Sequence, residues 1–99
     1  MWVRVARISD IDEGKSQLAN VNNKEIALFK IEGKIYAMEN SCCHRGGPLV
    51  DGYIEGTEVT CPWHAWTFDV RTGACSTVPD TKHPIFKVKI EKDEVFVEA

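Results

Sequence analysis

The chain has 99 residues, enough for one domain, residues 1–99, and no second. With 43% hydrophobic and 27% charged residues it has the composition of a globular protein and not of a disordered one. A formal charge of −3 argues against nucleic acid and against an anionic membrane surface, and suits a protein partner with a basic docking face.

The opening segment MWVRVARISD lacks the apolar run of a signal peptide. No stretch approaches the ~20 apolar residues that cross a bilayer. The expectation is a cytoplasmic protein with reduced thiols. Alternation of apolar and polar residues dominates, and helical periodicity is hard to find. Val3 to Ile8 reads as a first strand with the valines on one face. Ser9 to Gly14 is polar and turn-like, Ser16 to Val21 a second strand, and Asn22-Asn23 a turn pair tolerant of positive φ.

Glu25 to Ile31 and Lys34 to Met38 make a hairpin across Glu32-Gly33. Residues 40 to 56 read as loop, and Thr57 to Cys61 as a short β-branched run. Thr67 to Val70 pairs with the residues after Gly73, turning at Arg71-Thr72-Gly73. A loop with Pro79 and Pro84 follows. Ile85 to Glu91 then pairs with Val95 to Val97 across Lys92-Asp93-Glu94. About nine short antiparallel strands with turns between them predict an all-β sandwich or small barrel.

Five of the seven Cys and His residues fall in two short patches, which favours a metal over disulfides. The first is Cys42-Cys43-His44 and the second Cys61-Pro62-Trp63-His64. As ligand pairs they read C-x-H, sixteen residues, then C-x-x-H. Thiolate and imidazole suit zinc and iron, whereas calcium and magnesium take oxygen. Two cysteines and two histidines also close a structural zinc site, although such sites usually place both cysteines on one loop. One of each per loop fits a two-iron cluster in which one iron takes both cysteines and the other both histidines.

These residues resemble the Rieske ferredoxins. Asn40 to Leu49 is similar to the family's first cluster loop, and Cys61 to Asp69 with Thr72-Gly73 to its second loop and following hairpin. The resemblance implies a Rieske-type β-sandwich whose cluster-binding part, about residues 40–73, is formed by two loops. It implies one 2Fe-2S cluster, with Cys42 and Cys61 on one iron and His44 and His64 on the other. It also implies a soluble one-electron carrier, with no catalytic residues of its own. The implied donor is a flavin-dependent ferredoxin reductase and the implied acceptor a terminal oxygenase or other redox enzyme, often one acting on an aromatic ring. A small Rieske-like subunit of an assimilatory nitrite reductase is the alternative within the same fold, and a zinc-stabilised interaction module the alternative outside it.

Several positions depart from the family pattern. Cys43 stands where Thr or Pro is common, and Ala65 where Gly is usual. Gly47 and Trp63 match the positions where respiratory-chain members carry a disulfide, and Trp66 replaces a hydroxyl residue that donates to cluster sulfur in the high-potential branch. The resemblance is therefore to the soluble branch. Two ferric irons, two sulfides and two thiolates sum to zero charge, so histidine ligation raises the potential above that of four-thiolate clusters, into a range of roughly −150 to +300 mV. The missing disulfide and hydroxyl place this chain low in that range.

Other singled-out residues have plainer readings. Cys43 is a bystander thiol and Cys75 a small buried hydrophobe. His83, before Pro84, reads as a surface loop residue. Trp63 is equally a partner contact or a cluster cover, with Pro48 and Pro62 beside it, while Trp66 and Phe68 belong to the core. Trp2 packs on the sandwich. Asp10, Asp12 and Glu13 form a solvated turn, and Asp69 and Gly73 make turns.

Overall fold

The computed structural model describes residues 1–41, 47–63, 65–78 and 80–99. Ten strands follow in order: β1 (Trp2–Arg7), β2 (Ser16–Val21), β3 (Lys24–Ile31), β4 (Lys34–Glu39), β5 (Tyr53–Glu55), β6 (Glu58–Thr60), β7 (Thr67–Asp69), β8 (Ile85–Phe86), β9 (Val88–Glu91) and β10 (Glu94–Glu98). Single 3-10 turns occupy Ile8–Asp10 and Leu49–Asp51. The strands form three antiparallel sheets, ordered β1-β10-β9, β2-β3-β4-β8 and β5-β6-β7.

The sheet β2-β3-β4-β8 is the middle layer, and β3 shows why. Ile26, Leu28, Ile35 and Ala37 face one core with Ala6, Val95 and Val97 of the first sheet. Ala27, Phe29, Ile31 and Met38 face the other core with Val59, Cys61, Phe68 and Val70. Side chains alternate along a strand, so a strand covered on both faces must be apolar at consecutive positions. Ile26-Ala27-Leu28-Phe29 is that run, and all four residues are fully buried. Burying each of the large ones contributes about 1.5–3 kcal/mol.

Two-residue turns join the hairpins. Asn22-Asn23, Glu32-Gly33 and Lys92-Asp93 all have positive φ at both positions, the twist that suits a tight antiparallel return. The Glu32-Gly33 turn is held from outside: both of its backbone N–H groups donate to the Glu13 carboxylate, at 2.5 and 2.8 Å. Those bonds hold the Glu13 pKa below the ordinary carboxylate value. The acidic segment is exposed, as expected, and Glu13 also fastens a neighbouring hairpin.

Four expectations need correction. The region read as loop contains β5, whose three residues lie between Gly52 and Gly56 and are too short to show alternation. The run from Ile85 to Glu91 divides at Lys87: β8 pairs with β4, while β9 pairs with β10. An unbroken pattern of alternation hides a strand that changes sheets. The return after Gly73 reduces to isolated bridges, Phe68 with Cys75 and Ala74 with Lys82. In β1 a bulge leaves Val5 between Arg4, opposite Phe96, and Ala6, opposite Val95. Ala6 thereby joins the core, and Val3 and Val5 both pack against that same core, so the valines share one face as expected.

His83 is the fourth correction, and it lies inside rather than on the surface. It is 2% exposed, its ring centroid is 5.1 Å from that of Phe68, and its Nε2 lies 2.6 Å from the Glu39 carbonyl oxygen. Its Nδ1 has no hydrogen-bond partner among the described residues, so the ring proton belongs on Nε2, donating to Glu39. Its backbone N–H donates to the Gly73 carbonyl at 2.7 Å. Gly73 has φ +82°, and a Cβ there would run into the His83 carbonyl oxygen, so glycine is required twice over. Burial lowers the His83 pKa, against a smaller opposing effect of Glu39. In the unfolded chain His83 titrates near an ordinary value of about 6.5. The stability from keeping it neutral is thus fully present above that pH and is lost as pH falls toward the lower folded value, with a slope of at most about 1.4 kcal/mol per pH unit. His83→Gln should be the less stable protein at pH 7, and urea unfolding between pH 8 and 5 should show its deficit shrinking as the solution becomes more acid.

Candidate metal centre

Of the four expected ligands the structure describes Cys61; Cys42, His44 and His64 lie outside the described residues, as does Cys43. Cys61 follows β6 directly and β7 begins six residues later, at Thr67. The tip between them is clipped by backbone hydrogen bonds. The Cys61 N–H donates to the Trp66 carbonyl at 2.8 Å, and the Ala65 N–H donates to the Cys61 carbonyl at 3.1 Å. Below the tip the Thr60 and Thr67 hydroxyls meet at 3.0 Å. From outside, Thr77 Oγ1 accepts from the Thr67 N–H at 3.0 Å.

Burial alternates sharply along this tip. Cys61 is 1% exposed and belongs to the core with Leu49, Val59 and Phe68, whereas Trp63, two residues on, is 65% exposed. Trp66 is half-buried, its ring 6.5 Å from that of Phe68, and Phe68 is fully buried, so both are core residues as expected. Cys75 is also buried, its sulfur accepting the Val78 N–H at 3.3 Å, which fits the reading of a small apolar residue.

The other motif is approached through Asn40, Ser41 and residues 47–50. Ser41 and Pro48 form an antiparallel bridge, and Leu49 donates its N–H to the Asn40 carbonyl at 2.8 Å. Gly47 then meets the second tip. A Cβ built on it would lie 2.6 Å from Cys61 Sγ and 3.1 Å from Trp63 Cγ. The positions that match the respiratory-chain disulfide therefore face each other here as a glycine and an indole. Gly47 does not have positive φ, so space alone demands glycine.

A buried thiol at the tip of a clipped loop, with room beside its sulfur kept by a glycine, fits a soft-metal donor. Cys61 is the one donor of the expected set among the described residues, and its thiol is of a type that suits an iron–sulfur group. Sequence reasoning overlooked the work of Asn40 and His83. Asn40 directly follows a strand and precedes the first motif, which was the available signal, whereas His83 stands in a polar, Pro-bounded loop that gives none.

Two glycine-related positions yield opposite expectations. Ala65 has φ +59°, the left-handed region where an L-residue costs about 1–2 kcal/mol and glycine almost nothing. This explains why glycine is usual there, and Ala65→Gly should raise unfolding stability by about 1 kcal/mol. Gly47→Ala should lower it by about 1–3 kcal/mol through overpacking and should shift tryptophan fluorescence as the Trp63 indole is displaced. Denaturant titrations of the two variants, followed by fluorescence, measure both.

The family model of the Rieske [2Fe-2S] domain matches residues 1–92. The ferredoxin component of the naphthalene 1,2-dioxygenase/salicylate 5-hydroxylase systems of Ralstonia sp. is 43% identical over 97 residues, covering 97% of this chain and 93% of that protein. The ferredoxin of carbazole 1,9a-dioxygenase from Nocardioides aromaticivorans IC177 superposes with a TM-score of 0.91 at 29% identity, over 98% of this chain and 96% of the other. A ferredoxin-sized chain in the complex of reduced oxygenase and oxidised ferredoxin in carbazole 1,9a-dioxygenase superposes with a TM-score of 0.88 at 31% identity, over 97% and 91%. With its middle sheet, its clipped cysteine tip and these likenesses, the chain belongs to the Rieske [2Fe-2S] domain family.

Proposed function

We propose that this chain is a Rieske ferredoxin that carries single electrons from a flavin-dependent ferredoxin reductase to a terminal oxygenase. The observation that carries this reading is its likeness, over nearly the whole of both chains, to ferredoxin components of dioxygenase systems. The same relatives favour an electron carrier over a nitrite reductase subunit, and the reading assigns the chain no catalytic residues. Residues 1–99 form one domain in this reading, with the cluster-binding part at about 40–73. A cytoplasmic setting belongs to the proposal, since reduced thiols are needed as ligands. No helix among the described residues is long and apolar enough to cross a membrane.

Cys42 and Cys61 would hold one iron and His44 and His64 the other. When bound, the 2Fe-2S cluster supplies one-electron storage. Cys61 is kept from water by Leu49, Val59 and Phe68, which excludes solvent from its sulfur. Gly47 packs so closely against this sulfur that a Cβ there would clash with it. Trp63, exposed next to the buried ligand, supplies apolar docking surface.

Purified protein should contain about two irons and two acid-labile sulfides and give a Rieske EPR signal on reduction, with a midpoint potential in the lower part of the class range of roughly −150 to +300 mV. Replacing His44 or His64 should abolish the signal and reduce the iron content. A colourless zinc protein, or a His44 variant with unchanged iron and spectrum, would sink the reading.

A further inference from the structure

We infer that Asn40 is a positioning residue for the metal centre: its side chain locks the entrance of the first cysteine–histidine motif to the middle sheet. The inference rests on the proposed ligand role of Cys42, two residues further on. Asn40 is only 4% exposed, and all of its polar groups are engaged. Its backbone N–H donates to the Glu25 carbonyl at 2.9 Å, and its carbonyl accepts from the Leu49 N–H at 2.8 Å. Its side-chain Oδ1 accepts from the Val50 N–H at 2.8 Å, and its Nδ2 donates to Glu25 Oε1 at 3.2 Å.

These bonds reach two separate pieces of chain. Glu25 belongs to β3, the strand buried on both faces. Leu49 and Val50 form the 3-10 turn that follows the first motif, and Ser16 of β2 fastens the same turn by donating its hydroxyl to the Val50 carbonyl at 2.6 Å. One side chain therefore ties the start of the motif, its end and the middle sheet together. The chemistry required is narrow: a donor and an acceptor on a short stem, aimed in different directions. Aspartate lacks the donor and would set a second carboxylate against Glu25. Leucine has a similar volume and lacks both groups. Groups behind the ligands commonly alter metal affinity by about 10–100-fold when replaced.

The test compares Asn40→Leu, Asn40→Asp and Glu25→Gln with the parent protein, all loaded with iron. Val97→Ala, in the core on the far side of the middle sheet, controls for general destabilisation. Iron release to a ferrous chelator from the reduced protein, the EPR g values, and hydrogen exchange of the Val50 amide are measured. Asn40→Leu should release iron about tenfold faster, or more, with shifted g values and an unprotected Val50 amide. Asn40→Asp, which retains the acceptor, should fall between it and the parent. Glu25→Gln, which retains an acceptor for Nδ2, and Val97→Ala should stay within about twofold of the parent. Parent-like release and g values in Asn40→Leu would overturn the inference. Where that variant does not fold, Asn40→Asp decides, and release no faster than that of Glu25→Gln overturns it. A parent protein that binds no iron would overturn the functional reading itself, whereas an iron-loaded parent with indifferent Asn40 variants overturns this inference alone.

Discussion

A strand covered on both faces has no water to turn to where it ends, and the end of β4 is the point on which the rest of this structure depends. Buried backbone groups need partners, or each costs about 1–3 kcal/mol. Glu39 and Asn40 stand at that point. The Glu39 N–H donates to the Pro84 carbonyl at 3.1 Å, and its carbonyl accepts the His83 ring at 2.6 Å. Asn40 is held by Glu25 on one side and Leu49 on the other. Segments remote in sequence, from β3, from the turn after the first motif and from the loop before β8, thus converge where the chain leaves the sheet. The chain that leads into the first motif is fixed to the middle sheet by this convergence.

The same convergence gives His83 and Gly73 their meaning. His83 packs on Phe68, Phe68 packs beside Trp66 and shares a core with Cys61, and Gly73 lets the backbone come close enough to hold His83 in place. Support thus passes from the β4 terminus to the floor of the second motif through packed rings and one close backbone approach. A buried neutral imidazole suits this purpose, because it supplies one donor to Glu39 and presents an apolar ring face to Phe68. A charged side chain in the same place would need a counter-charge that the core does not offer.

Most of the scaffold was legible because its rules are local. Short apolar runs bounded by turn residues marked β3, β4 and β10, and the turn pairs Asn22-Asn23 and Glu32-Gly33 carry their own conformational signal. The proposed ligand set rests on a different kind of signal, residue type and spacing, and of its four residues the structure describes Cys61. What stayed hidden depends on partners far along the chain. Nothing local to Lys87 says that the strand changes sheets there, and nothing local to His83 says that Phe68 and Glu39 will enclose it. The bulge at Val5 is visible only against β10. Ala65 lies between these cases: the family habit of glycine was noted, and its cause, a left-handed backbone, needed the fold.

Electron carriers must be held long enough to transfer and loosely enough to leave. The tip meets that requirement with very little surface. A tryptophan side chain contributes on the order of 150–250 Å² when buried, and Trp63 is already 65% exposed, so docking would cover roughly 100–150 Å² of it. Weak redox encounters bury under about 1,200 Å² in total, or roughly 600 Å² per partner. One side chain can therefore supply about a fifth of the contact from this side, and its neighbour Cys61 is the proposed ligand beneath. Concentrating apolar surface beside the sulfur of the proposed ligand would let a small, short-lived contact also be a well-aimed one, because the area that holds the partner would lie close to that ligand.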